Sequence, residues 1–186
     1  YIASVLPDVA PACADGRVIV AHLGGGASAC AMRTMKSVAS TMGFSTLDGL
    51  MMGTRSGAID PGVILYLLDE KKMSAMQVSD VLYRESGLLG VSGISGDMRE
   101  LLASTAPAAK LAVALYCSLA ARQIAGLIPA IGGLDALVFT GGIGEHAAPV
   151  RAHITALLRW VGDFSVHVVP TDEEQVIARA CAALLP

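Results

Sequence analysis

The chain has 186 residues, 54% of them hydrophobic, which is enough to build one well-buried domain. A formal net charge of −3 and an aromatic content of 4% supply neither the basic field nor the stacking platforms that nucleic-acid binding uses. The four cysteines, Cys13, Cys30, Cys117 and Cys181, are scattered without a CxxC pair, a pattern that fits a reduced, cytoplasmic protein better than a disulfide frame or a zinc site.

Taken in order, the chain opens on the end of a helix over 1–6 and a loop over 7–16. Three short strands follow at 17–21, 27–32 and 36–41, with Met35 and Lys36 as the turn between the last two. The first strand runs into His22 and then into Gly24, Gly25 and Gly26. Three glycines exceed what a plain two-residue hairpin turn requires. Without side chains, their N–H groups can approach a ligand closely, and clustered N–H groups suit phosphate oxygens. Ser28 adds a hydroxyl just past the turn. A tight turn on an ordinary sheet is the competing reading. Residues 42–60 carry glycines at 43, 49, 53 and 57 among polar residues and read as a long structured loop, a feature that is usually functional. Asp60 and Pro61 open a helix that continues to 68, and Ser74 caps another over 74–84. Residues 87–96 are glycine-rich, 97–104 form a helix, and 108–128 a long apolar one.

A second glycine turn follows. Residues 136–140 are a short buried strand, then come Gly141, Gly142, Ile143, Gly144 and Glu145, and helical spacing resumes at 149–160. Strand, glycine turn and helix start aim backbone amides at an anion. This is neither the Walker pattern nor a full GxGxxG. Two phosphate-style turns in one short chain point to a nucleotide more strongly than either does alone. A strand at 166–169 and a helix at 172–184 close the chain, with Thr171 as N-cap and Glu174 completing a Thr-x-x-Glu capping box. The mean hydropathy of +0.61 is high and is read as apolar surface covered by a partner subunit or another domain. The best apolar run, 124–134, is short and broken by Pro129, Gly132 and Gly133, so no bilayer span is expected. Tyr1 is not a start methionine and no basic region precedes an apolar core, so the chain reads as a fragment without a signal peptide.

Three meandering strands followed by helix–strand–helix–strand–helix describe a mixed α/β sheet flanked by helices. That order suits the ribonuclease H-like core of the actin, sugar-kinase and Hsp70-type ATPases. Several motifs resemble one family, acetate kinase. They are His22-Leu23-Gly24-Gly25-Gly26-Ala27-Ser28, Met42-Gly43-Phe44, Met52-Gly53-Thr54-Arg55-Ser56-Gly57 and Ile59-Asp60-Pro61. Ser86-Gly87-Leu88-Leu89-Gly90, Ser95-Gly96-Asp97-Met98-Arg99, Phe139-Thr140-Gly141-Gly142-Ile143-Gly144-Glu145 and Val169-Pro170-Thr171-Asp172-Glu173-Glu174 complete the set. Each is weak alone; in order and at family-like spacing they are strong together.

The resemblance implies that residues 1–186 are the C-terminal nucleotide-binding domain of a two-domain enzyme whose N-terminal domain is absent here. The implied reaction is ATP plus acetate to ADP plus acetyl phosphate, with Mg2+ or Mn2+. The implied partners are ATP or ADP and a short-chain carboxylate, and the implied assembly is a homodimer. By the same resemblance the turn of Gly24, Gly25 and Gly26 is a phosphate loop, His22 bonds the transferring phosphoryl, and Arg55 meets the acyl phosphate. Asp97, Met98 and Arg99 line the adenosine pocket, Gly142, Ile143 and Gly144 form the second nucleotide loop, and Glu173 is the carboxylate associated with magnesium. Three positions depart from the family's usual pattern: Gly25, His146 and Asp172 each stand where asparagine is usual. Gly25 removes a side-chain donor to phosphate.

Blander roles stand beside these. His22 can be a core histidine at a strand end, Arg55 a loop arginine holding carbonyls, and Asp97 a cap for the helix after it. Glu145 and Glu173 sit where a helix dipole alone favours an acid. His153 and His167 carry no motif, and the methionines at 42, 51, 52 and 98 read as packing. A propionate or butyrate kinase of the same family is the near alternative, and a nucleotide-binding module without turnover is the distant one. Arg55 separates the latter, because a sensor needs no arginine for an acyl phosphate.

Overall fold

The computed structural model describes residues 1–182 and Leu184. Helix α1 (Ile2–Val9) and a 3-10 turn (Pro11–Cys13) lead into strands β1 (Arg17–Leu23), β2 (Ala27–Arg33) and β3 (Lys36–Ser40). After the long loop come α2 (Pro61–Asp69), α3 (Ala75–Arg84), α4 (Gly87–Ser92), α5 (Met98–Ala103) and α6 (Pro107–Ile131). Then follow β4 (Ala136–Thr140), α7 (Gly141–His146), α8 (Ala148–Leu157), a 3-10 turn (Arg159–Val161), β5 (Ser165–Val168) and α9 (Glu173–Ala182). The sheet order is β3-β2-β1-β4-β5, with an antiparallel meander on one side and β4 and β5 parallel to β1 on the other. This is the mixed sheet flanked by helices that the sequence describes.

Alternation along the strands divides the core in two. Ile19, Ala21 and Leu23 of β1, Ala27, Ala29 and Ala31 of β2, and Leu137 and Phe139 of β4 belong to one buried cluster. Helix α6 lies on this face with Ala109, Ala112, Ala120 and Ala121 buried, and small side chains on both surfaces let helix and sheet approach closely. Val18, Val20, Met32, Ala136 and Val138 face the other way and pack with Leu6, Ala10 and Cys13. Burying a leucine or phenylalanine contributes about 1.5–3 kcal/mol. Helix α2 is different: none of its residues is buried, and Val63, Leu65 and Tyr66 are exposed.

Caps fall where side-chain chemistry puts them. Asp60 accepts from the Gly62 N–H at 2.7 Å, and Ser74 and Gln77 form a reciprocal capping box. At the N-terminal end of α9, however, the Asp172 carboxylate accepts from the Gln175 N–H at 2.9 Å, and Thr171 does not act as the cap because its hydroxyl is committed to Glu145. Other boundaries also differ from the sequence reading. The β2–β3 turn is Thr34 and Met35, both left-handed, because a two-residue hairpin loop with matching twist needs two positive φ values. Helix α1 continues through Pro7, and the glycine-rich 87–96 stretch contains α4, ended by left-handed Gly93. Helix α7 starts at Gly141 itself. Helix α6 reaches 25 residues because Pro107 sits at its first turn, where a missing N–H is harmless, and Pro129 falls near its end. By length and hydropathy α6 could cross a bilayer, whereas the sequence reading finds no apolar run both long enough and free of breakers; here it is the helix laid across the sheet, with Tyr116, Cys117 and Ile124 buried.

Candidate functional site

The position of the site follows from strand pairing. β1 and β4 run parallel from Val18 opposite Ala136 to His22 opposite Thr140, so their C-terminal ends lie side by side. The chain leaves each of them on a glycine turn. The crevice outside the C-terminal ends of such strands is where open α/β sheets bind ligands. A cleft of about 600 Å³ opens there. Gly24 and Gly25 of the first turn and Gly142, Ile143, His146 and Ala147 of the second form one wall. Gly53 and Thr54 of the long loop, and Gly96, Asp97, Met98, Arg99 and Leu102 at the start of α5, form the other.

Backbone contacts hold these walls together. The Gly53 N–H donates to the Gly25 carbonyl at 3.3 Å. Gly53 and Gly96 touch so closely that a Cβ on either would stand 2.9 Å from the other's carbonyl oxygen, so both positions need glycine for space. The N–H groups of Leu88 and Leu89 donate to the carbonyls of Met52 and Gly53, each at 2.9 Å, and the Thr54 hydroxyl donates to the Tyr83 carbonyl at 2.9 Å. The long loop is therefore anchored, and its glycines sit at contacts.

Asp97 caps α5 by accepting from the Arg99 N–H at 2.8 Å, and its carboxylate also pairs with the exposed Arg99 guanidinium at 2.5 Å. The Arg99 hydrogen bonds hold the Asp97 carboxyl down at about 2. Capping and cleft-lining are thus combined in one residue. His22 and Arg55 are not on the cleft wall. The His22 ring packs between the turns: a Cβ on Gly141 would meet its Cε1 and Nε2 at 3.1 Å, and one on Gly24 would meet Nε2 at 3.6 Å. Gly141 has φ +79, which also favours glycine. The Arg55 guanidinium lies on the Gly26 side, with Nη1 3.8 Å from where a Gly26 Cβ would stand, and it donates to the Thr46 carbonyl at 3.3 Å and to Met52 Sδ at 3.6 Å. Gly26 and Gly144 stand behind the cleft wall; Gly144 is buried against Phe139. Glu173 opens α9, and its side chain lies outside the described part of the structure.

Glu145 and Thr171 make a cluster the sequence reading passed over. Glu145 Oε1 accepts from the Gly141 N–H at 3.0 Å, the Thr171 N–H at 2.9 Å and the Thr171 hydroxyl at 3.1 Å. Thr171 Oγ1 also accepts from the Gly141 N–H at 3.0 Å and lies 2.6 Å from the buried Thr140 hydroxyl. Burial pushes the Glu145 carboxyl up, but the bonds from Thr171 and Gly141 outweigh it and hold the group below its ordinary range. Leu102 and His146 were also missed as wall residues. Leu102 lies one helical turn after Met98, so i, i+4 spacing could have found it.

Backbone amides and a guanidinium suit an anionic group, and Met98, Leu102, Ile143 and Ala147 offer an apolar surface for a flat one. Among the described residues no group of three or more histidine, cysteine, aspartate or glutamate side chains is arranged to hold a metal.

The model of the acetokinase family matches residues 5–164. The chain is 54% identical to an acetate kinase of Rhodopseudomonas palustris, over 96% of this chain and 51% of that protein. The crystal structure of Porphyromonas gingivalis acetate kinase aligns with a TM-score of 0.92 at 32% identity, covering all of this chain and 53% of that one. A propionate kinase from Francisella tularensis aligns with a TM-score of 0.89 at 36% identity, covering 96% of this chain and 52% of that one. The chain spans about half the length of the curated relatives it matches.

Proposed function

The chain belongs to the acetokinase family, and we propose that it is the C-terminal, nucleotide-binding domain of an acetate kinase, which moves a phosphoryl group reversibly between ATP and acetate. The observation that carries this reading is the convergence of two glycine turns on one cleft, in a chain of that family. In this proposal the part of the full-length protein beyond this chain supplies the other half of the working cleft.

Phosphoryl transfer needs positioning and charge stabilisation more than covalent chemistry from the protein. In the proposed arrangement the amides around Gly24, Gly25 and Gly26 hold phosphate oxygens, and Gly142, Ile143 and Gly144 form the second nucleotide loop. Asp97, Met98 and Arg99 meet the adenosine. His22, held between the two turns, donates to the transferring phosphoryl group. Arg55, a planar guanidinium beside Gly26, spans two oxygens of the acyl phosphate and stays charged at any working pH. Magnesium bound with a nucleotide takes most of its ligands from phosphate and water and needs only one or two carboxylates. The sparse set of described acids fits such an ion carried in by the nucleotide, and Glu173 is the residue proposed to hold it. When bound, the ion neutralises charge on the phosphates. A cytoplasmic homodimer completes the proposal, supported by the apolar face of α2.

The likeness to a propionate kinase favours a second reading in which the acid is propionate. Hydroxamate trapping of the acyl phosphate from acetate, propionate and butyrate, with the full-length protein, ATP and magnesium, decides between them. Acetyl hydroxamate in excess is expected; excess of a longer acid would change the substrate, and no acyl phosphate from any acid would leave a nucleotide-binding module.

A further inference from the structure

Glu145 and Thr171 lie 26 residues apart, yet they meet over a single backbone amide. The Gly141 N–H is taken by Glu145 Oε1 and Thr171 Oγ1, both at 3.0 Å. The Thr171 hydroxyl donates to Glu145 and sits 2.6 Å from the Thr140 hydroxyl, so its one proton and both lone pairs are used. This closes a small network over the residue where the chain turns out of β4. Gly141 is left-handed there and packed against the His22 ring and the Leu23 carbonyl, leaving little freedom on its other side. One residue on, Gly142 reaches the cleft; its amide nitrogen is 3.9 Å from where a Cβ on Gly24 would stand.

We propose that Glu145 and Thr171 are positioning residues that lock the Gly141 turn, so that Gly142 and Ile143 face a nucleoside diphosphate in the cleft at a fixed distance from the Gly24 turn. Neither side chain lines the cleft; both act through Gly141. Because Thr171 stands two residues before Glu173 at the start of α9, the same lock sets where α9 begins relative to the nucleotide loop. The inference rests on the nucleotide reading of the cleft. Its physical basis is preorganisation: a loop already held in its bound shape pays no ordering entropy when ligand arrives.

The test uses the full-length protein with ADP and magnesium as the probe, comparing Thr171→Val, Thr171→Ser and Glu145→Gln. Valine keeps the shape and removes the hydroxyl. Thr171→Val should raise the ADP dissociation constant about tenfold, the effect of one charge-assisted hydrogen bond. The KM for ATP should rise in parallel while kcat stays within about threefold, and Thr171→Ser should bind ADP as the parent does. Should Thr171→Val fail to fold, Glu145→Gln carries the test, with a smaller rise in the same direction. A lowered melting temperature with unchanged ADP affinity and KM would reduce the pair to a structural role and overturn the proposal, as would Thr171→Ser behaving like Thr171→Val. Absence of ADP binding by the unaltered protein would instead remove the nucleotide reading, and the lock with it.

Discussion

Two single residues carry sharp consequences. Among the described residues Arg55 donates to a carbonyl and a thioether and to no carboxylate, so its charge is available to an anion. In the full-length protein Arg55→Ala should lower kcat by about a thousandfold, as the loss of an arginine finger does, with ADP affinity little changed. Arg55→Lys should fall between, since lysine offers a point charge without the planar fork. Steady-state kinetics with a parallel ADP titration checks this; a fall in ADP affinity equal to the fall in rate would make Arg55 a nucleotide-binding residue. Gly25 is the second case. A Cβ there meets nothing within 4 Å and its φ lies outside the left-handed range, so the turn does not demand glycine at this position. Gly25→Asn should therefore tighten ADP binding by about 0.5–1.5 kcal/mol if its amide reaches phosphate. Unchanged affinity by calorimetry would mean that the backbone already satisfies the phosphate.

Among elements, β1 and β4 matter most, because their parallel register brings the two glycine turns together. Arg17 and Asp135 pin the start of that pairing. The Arg17 N–H and Nε donate to Asp135 Oδ2 at 2.7 and 2.9 Å, and a second guanidinium nitrogen pairs with Oδ1. The side-chain hydrogen bond from Arg17 is the main cause holding the Asp135 carboxyl down at about 2. A folded-state value below the unfolded one stabilises the fold above about pH 4, and that contribution is lost as pH falls toward 2. Both side chains are about two-fifths exposed, at 41% and 39%, so solvent screening keeps it small. Asp135→Asn should lower stability by about 1 kcal/mol near neutral pH and remove part of the acid limb of an unfolding curve. Equal acid sensitivity in parent and variant would dismiss the pair.

Much of this architecture could be read from residue types. Short apolar runs ending in glycine or polar turns mark β1, β2 and β4, and Asp60, Ser74 and Asp97 announce helix starts because short polar side chains bond the N–H groups just after them. The start of α7 at Gly141 was not legible, since it depends on Thr171, thirty residues later. Nor was the release of Thr171 from its expected capping role, for the same reason. Glycine-rich α4 lacks any periodic signal, and its first residue is left-handed against the Met52 carbonyl. At the site, the glycine turns and the Asp97–Arg99 stretch were visible as motifs, whereas the placing of Arg55 behind Gly26 and of His22 between the turns depends on contacts that no spacing encodes.

At the scale of the molecule, the high mean hydropathy has a visible location. Val63, Leu65 and Tyr66 of α2 are exposed along a helix with no buried residue. An obligate dimer typically buries more than about 2,000 Å² of apolar-rich surface. The full-length protein should be a dimer by light scattering at micromolar concentration, and Leu65→Glu should shift it toward monomer; a monomeric parent would contradict this. The central claim, that the cleft between the two glycine turns takes a nucleotide, is tested most directly by calorimetric titration with ADP and magnesium of the full-length protein and of Gly142→Trp. A Cβ on Gly142 meets nothing within 4 Å, so the indole can fill the cleft without disturbing the turn. The account predicts saturable binding of one ADP per chain in the parent and its loss in Gly142→Trp at unchanged melting temperature. Binding that survives Gly142→Trp, or no binding in the parent, would contradict it.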